Sequence, residues 1–322
     1  MHRRTFLSAT AATASLLATD LRPAMGADWQ PRRPINLIVP YAPGGGVDSY
    51  ARALTNGLRE QLGKPMVVVN KGGAGGMTGA AEAAAAAPDG ETLMLAATGG
   101  LLLGSMFRPS PIDPLTDFTS VAQVGNLVFA VAVPVSSPYK SGADLVAAIK
   151  AAPGKMRWAH GGRGSATHVP GQSFLDMNGL VATDVPFQGG AEIRAAIVGA
   201  QVDFGVIGIQ QQAGFESQMR ILGVFDDKRY ALMPDLPTFD EQNIPTGNIG
   251  SPVSVLAPKE LPETIVTVLE AAFKRAALEQ EFAEMLAPQG LVPDYLPGPQ
   301  AEAKLRQIQQ AAEPIFAAMK KG

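Results

Sequence analysis

The sequence predicts an α/β protein of two lobes, each a sheet flanked by helices, and three observations carry that prediction. Short aliphatic or β-branched runs alternate with glycine-rich turns and helical stretches, the pattern of strands joined by crossover helices. The pattern runs from residue 33 and starts again near residue 126. A late apolar strand at 252–256 is followed only by helical runs, which is best explained if the chain returns to its first lobe and completes it. The expected boundaries are residues 28–125 plus 226–322 for lobe one and 126–225 for lobe two, with the crossings as a hinge.

Each element has its own signal. The run Ile35-Asn36-Leu37-Ile38-Val39-Pro40 reads as a strand, Ala42-Pro43-Gly44-Gly45-Gly46 as a turn, and 47–62 as a helix with Tyr50, Leu54 and Leu58 on one face. A strand at 66–69 leads through Gly72-Gly73-Ala74-Gly75-Gly76 into an alanine-rich helix over 78–87, stopped by Pro88-Asp89-Gly90, and 92–96 is a third strand. The second round has strands at 128–133, 155–159, 183–186, 202–207 and 221–225, with helices at 142–151, 168–178 and 192–199. After 252–256, helical runs cover 262–286 and 299–320.

Composition excludes several function classes. With 46% hydrophobic and 17% charged residues the chain can bury a core. A net charge of −3 without an internal Lys/Arg cluster leaves no footprint for nucleic acid or an anionic membrane. The absence of cysteine removes disulfides, thiolate metal sites and cysteine nucleophiles. Residues 1–27 read as an export leader. Arg3-Arg4-Thr5-Phe6-Leu7 resembles a twin-arginine signal, a mildly apolar run follows, and Gly26 and Ala27 offer small residues for cleavage. The other reading is an uncleaved anchor, but the run falls short of the roughly 20 residues that span a bilayer. A periplasmic, mildly acidic, monomeric protein is expected.

No catalytic set emerges. The glycine turns lack the third glycine of a dinucleotide fingerprint, no Gly-Lys pair continues into Ser or Thr, and no serine sits in a Gly-x-Ser-x-Gly elbow. His160 and His168 stand without a ligand motif around them, so neither a metal nor a cofactor is expected. What the chain offers is anion-binding architecture. The first turn of a helix leaves N–H groups without intrahelical partners at the positive end of the macrodipole, and glycine lets a ligand come close. Two loops follow a predicted strand and open a helix, 43–48 in lobe one and 161–167 in lobe two, which places both at a carboxyl edge where α/β proteins bind ligands. Read blandly, they are ordinary turns in which Asp48, Ser165 and Thr167 cap helices.

Taken in order, these motifs resemble a known family. They are Arg33-Pro34-Ile35-x-Leu37-Ile38-Val39-Pro40-Tyr41-Ala42-Pro43-Gly44-Gly45-Gly46-x-Asp48, Val67-Val68-Val69-Asn70 with Gly73-Ala74-Gly75-Gly76, and Ala87-Pro88-Asp89-Gly90. Gly162-x-Gly164-Ser165-x-x-His168, Val185-Pro186-Phe187-x-Gly189-Gly190-Ala191, Gly199-x-Gln201-Val202-Asp203 and Asp235-Leu236-Pro237-Thr238-Phe239 follow. The chain resembles the periplasmic solute receptors of tripartite tricarboxylate transporters, the Bug family.

That resemblance implies a type II-like two-lobe periplasmic binding protein that closes on a small carboxylate and hands it to a membrane permease, without enzyme activity. It implies that Tyr41, Gly45, Gly46, Val47 and Asp48 grip a carboxylate together with Gly164, Ser165, Ala166, Thr167 and His168, with Phe187 and Gly190 bordering the cleft. Asn70, Gly76, Thr98 and Gly99 are expected to line it more remotely. Asp203 is expected to support lobe two, and His168 reads equally as a buried helix-start residue. Three departures leave the ligand's identity open. Gln188 stands where the family commonly has lysine, the stretch 204–212 is unusual, and the strand at 252–256 lacks a preceding tryptophan and glycine. The alternatives are an exported enzyme on the same scaffold, with Asp48 or His168 as base, and a loaded partner for a sensor kinase.

Overall fold

The computed structural model describes residues 29–187, 189–247 and 249–319. The leader and Gln188 lie outside the described residues. The chain first forms β1 (Ile35–Val39), α1 (Gly46–Leu62), β2 (Met66–Asn70), α2 (Met77–Ala84), β3 (Thr92–Ala97), α3 (Thr98–Phe107) and β4 (Phe118–Leu127). Then come β5 (Phe129–Pro134), α4 (Gly142–Ala151), β6 (Arg157–His160), α5 (His168–Met177), β7 (Thr183–Pro186), α6 (Gly190–Val198), β8 (Phe204–Gly208) and β9 (Met219–Val224). It finishes with β10 (Ser251–Pro258), α7 (Glu263–Leu278), α8 (Gln280–Leu286), β11 (Pro293–Pro297) and α9 (Gly298–Met319).

Two separate sheets result. One has the order β11-β4-β10-β3-β1-β2 and the other β7-β6-β8-β5-β9. The chain passes from the first to the second between Leu127 and Phe129, leaves the second after Val224, and rejoins the first at Ser251. Parallel pairing of β1 with β2 and β3, and of β6 with β7 and β8, sets each following loop at a sheet's carboxyl edge. Apolar side chains fill both faces of each sheet. A further cluster joins Leu102 and Leu103 of α3, Leu305 and Phe316 of α9, and Val169 of α5, so it links helices that belong to the two sheets.

Four features differ from the sequence expectation. The segment after 97, to which no element was assigned, is helix α3 even though three of its ten residues are glycine. Glycine disfavours helix by about 1 kcal/mol each, and burial of Leu101, Leu102 and Leu103 outweighs it. Gly99 is required there, because a Cβ would lie 2.6 Å from the Gly250 carbonyl oxygen. Strands β4 and β11 were likewise not expected. The single helical run at 262–286 is two helices, broken at an extended Glu279 whose carboxylate accepts from Gln61 of α1 (3.4 Å). Neither Pro nor Gly marks that break.

The two crossings meet at a buried carboxyl group. Asp226, just past β9, accepts from Asn126 Nδ2 of β4 (2.9 Å) and from the Asp227 N–H (2.8 Å). Burial, reinforced by Asp227, pushes its pKa up to about 7. Folding therefore favours the protonated acid, and stability is lost as pH rises from the unfolded value near 4 through about 7. We expect Asp226→Asn to raise the melting temperature more at about pH 8 than at about pH 5, since the introduced amide carries no charge and can donate to Asn126 Oδ1, which is buried without a partner. Melting curves at the two pH values decide, and an equal shift at both would rule out the titration.

Candidate ligand-binding site

The loop after β1 is braced from within. Asp48, in the first turn of α1, is buried. Its Oδ2 accepts the Gly44 N–H and Arg52 Nε, both at 2.9 Å, and its Oδ1 accepts Asn70 Nδ2 at 3.0 Å. Asn70 Nδ2 also reaches the Tyr41 carbonyl (3.2 Å). Burial alone would lift the Asp48 pKa, but Arg52, Gly44 and Asn70 together hold it below its ordinary value. Asp48 is thus a committed anion that shapes the turn from inside. It is not the helix cap that the bland reading made it: Gly45 is the N-cap, and no side chain caps α1. The N–H groups of Gly45, Gly46 and Val47 are left facing outward without helical partners.

In the second sheet the loop after β6 is held by two buried histidines. Gly162 N–H donates to His160 Nδ1 (3.1 Å) and Gly164 N–H to His168 Nδ1 (3.4 Å), while His160 Nε2 sits 3.3 Å from Asp184 Oδ2. Arg163 binds both Asp184 oxygens at 2.9 Å. Trp158 packs against both imidazoles. Burial pushes both histidines down, His168 to about 4 with help from His160, so both are neutral near pH 7. Arg163 holds Asp184 at about 2. The ligating atoms of His160, His168 and Asp184 lie within 4.8 Å of one another. A cation could join them only by displacing the Arg163 guanidinium.

This wiring corrects the expected donors. The N–H groups of Gly164 and Ser165 are engaged within the loop, by His168 Nδ1 and by the Gly162 carbonyl (3.1 Å). The N–H groups of Arg163, Ala166 and Thr167 have no hydrogen bond to described residues. Ser165 Oγ accepts the His168 N–H (3.2 Å), which leaves its own hydrogen for Thr167 Oγ1 or for a ligand.

Both loops open onto one cavity of 680 Å³, a size suited to a small organic molecule. Tyr41, Gly45, Gly46, Val47 and Asp48 line it from one sheet, and Gly164, Ser165 and Ala166 from the other. The remaining expected positions are off its wall. Thr167 Oγ1 accepts the Gly161 N–H (2.8 Å), and His168 is buried behind the loop. Phe187 N–H donates to the His160 carbonyl (2.8 Å), and Gly190 faces Gln211. Asn70 braces Asp48, Gly76 packs on Tyr41 and Leu101, and Thr98 donates to the Pro252 carbonyl (3.1 Å). Gly99 abuts the Gly250 carbonyl, and Asp203 accepts the Arg157 N–H (2.7 Å).

Sequence reasoning missed the wall that α3 supplies, namely Gly100, Gly104, Phe107 and Arg108 with the adjoining Pro109 and Pro111. Gly100 and Gly104 recur at i,i+4, a small-residue stripe that a helical reading of 98–107 would have placed on one face. Phe107 reaches across to the other loop. A Cβ on Gly164, whose φ is +79°, would lie 2.2 Å from Phe107 Cγ. In the turn before α1 only Gly44 adopts positive φ (+82°). A Cβ on Gly46 would lie 3.2 Å from Leu127 Cδ2 on the cavity wall, a contact that Leu127 would have to relieve by shifting a few tenths of an ångström.

The family model described as the tripartite tricarboxylate transporter family receptor matches residues 50–318. The chain belongs to that receptor family. It is 32% identical to a UPF0065 protein in the gbd 5′ region of Cupriavidus necator, over 92% of this chain and 91% of that one. It is 30% identical to protein BugT of Bordetella pertussis (strain Tohama I), with 84% of each covered. Among solved structures it resembles MatC of Rhodopseudomonas palustris with bound malate (TM-score 0.70, 28% identity, 88% of this chain and 98% of that one). It also resembles an R. palustris protein with adipate (TM-score 0.74, 27% identity, 88% and 97%). The receptor has the two-lobe architecture of the periplasmic binding proteins it resembles.

Proposed function

We propose that this chain is an extracytoplasmic receptor that binds one small carboxylate between its lobes and delivers it to the membrane permease of a tripartite transporter. Unpaired backbone donors from two different sheets facing one cavity carry this reading. A carboxylate lodged there accepts from Gly45, Gly46 and Val47 at the positive end of α1 and from the N–H groups of Arg163 and Ala166 opposite. Its negative charge meets no free acid, because Asp48 is neutralised by Arg52. The buried histidines shape the loop as neutral groups, and among the described residues Asp48, the one acid on the cavity wall, is held in an ion pair, which supports a binding role. Malate and adipate, held by the two solved relatives, set the ligand class to test.

Residues 1–27 act as a cleaved leader, 28–125 with 226–322 and 126–225 are the two lobes, and the mature receptor is a periplasmic monomer. None of the described helices is long and apolar enough to cross a membrane. A thermal-shift screen over mono-, di- and tricarboxylates and their amides tests this function. A ligand present at about 100 times its Kd stabilises the fold by roughly 2.7 kcal/mol. Stabilisation by amides but by no carboxylate would contradict it.

A further inference from the structure

Three charged side chains line the cavity: Asp48, Arg163 and Arg108. Two are committed, Asp48 to Arg52 and Arg163 to Asp184. Arg108 forms no ion pair among the described residues. Its guanidinium lies over the Phe107 ring, 5.5 Å from the centroid, and that ring is itself wedged between Gly164 and Phe316. The backbone around it is stiff. Arg108 N–H donates to the Gly104 carbonyl (3.2 Å), Pro109 and Pro111 follow, and Ser110 Oγ bonds both the N–H and the carbonyl of Ile112.

The position of Arg108 is fixed by α3. The helix starts where Tyr41 OH donates to the Ala97 carbonyl (3.4 Å), beside the loop that opens α1. It ends ten residues later, about 15 Å along the cavity at the usual helical rise. The loop of the second sheet runs along that wall, with Ala166 facing Gly100 in the first turn of α3 and Gly164 facing Phe107 in its last, so Ala166 and the loop that opens α1 stand toward the start of the helix and Arg108 just past its end. The lining also offers the apolar side chains of Met77, Phe107, Leu127 and Phe129, with the hydroxyls of Ser110 and Ser251 beside them.

We propose that Arg108 reads a second anionic group at the distal end of the ligand, so that this receptor selects diacids whose two charges are separated by an apolar spacer. The inference rests on the carboxylate reading above and adds to it the residue that discriminates. A carboxylate at that end meets a planar guanidinium suited to two parallel hydrogen bonds. A neutral end group leaves the cation without a counter-charge. An aliphatic spacer packs on the apolar part of the lining and makes no hydrogen bond of its own, so the discrimination sits at the charged ends.

The test is calorimetric titration of the mature protein with succinate, adipate, suberate and the monomethyl ester of each. Wild type, Arg108→Gln and Arg108→Lys are compared. At the best-fitting chain length, wild type should bind the diacid about tenfold tighter than its ester. Arg108→Gln should bring that ratio to within about twofold of one while melting at the wild-type temperature, and Arg108→Lys should keep part of the preference. A full preference retained in Arg108→Gln would overturn the assignment. Equal binding of diacid and ester by wild type would also overturn it while leaving the carboxylate grip standing. Failure of wild type to bind any of the six counts against the receptor reading itself, and the inference goes with it.

Discussion

Gly164→Ala should weaken ligand binding by about a hundredfold or more, equivalent to at least roughly 2.7 kcal/mol, while leaving a folded protein. Two costs combine. The residue adopts φ +79°, a left-handed conformation that costs an L-residue about 1–2 kcal/mol. Its new Cβ would also stand 2.2 Å from Phe107 Cγ, and Phe107 belongs to α3 on the other sheet. The strain acts in any conformation, whereas the clash acts only when the loop and α3 are apposed, so the substitution opposes the apposed state specifically. Melting should fall by no more than the strain term, and Gly164→Ala combined with Phe107→Ala should recover part of the affinity. Titration of the two variants against wild type measures this. Wild-type affinity in Gly164→Ala would show that the Phe107 contact is not part of the binding state.

The second large effect is on stability. Trp158 is fully buried and packs on Phe204 (6.2 Å), His168 (5.6 Å) and His160 (4.7 Å). Gly171 is small to admit it, since a Cβ there would lie 2.4 Å from the indole. Truncation to alanine should cost roughly 3–5 kcal/mol, the range for large aromatic deletions in cores. Trp158→Phe should cost less than half as much, because Nε1 is buried without a hydrogen-bond partner among the described residues and its loss frees no acceptor there. With the indole gone, water reaches the histidines and the His168 pKa should climb from about 4 toward its ordinary value near 6.5. Denaturation and histidine proton resonances report the two effects separately. A mild loss of stability with an unmoved His168 titration would mean that the indole does not build the loop.

Strands rich in β-branched residues, such as Ile35 to Val39, were legible because the pattern alone marks a buried parallel strand and glycine ends it. Helix α3 was not, because Gly99, Gly100 and Gly104 weaken its helical signal and the burial of the three leucines that outweighs them is set by tertiary packing. The site divides along the same line. The loop of Gly45 to Asp48 was legible as a helix start presenting N–H groups. The exact donors in the Gly161 to Thr167 loop were not, because His160 and His168 claim two of them through contacts set by packing around Trp158. Arg108 gave no signal at all, since its role depends on where a helix invisible in the sequence ends.

The central claim is that amide groups from both lobes grip one carboxylate. Amide chemical shifts during titration with the best carboxylate of the screen test it most directly. The account predicts that the amides of Gly45, Gly46 and Val47 and those of Arg163 and Ala166 move together along one saturation curve. Movement confined to one of the two loops, or a response elsewhere with both loops silent, would contradict it.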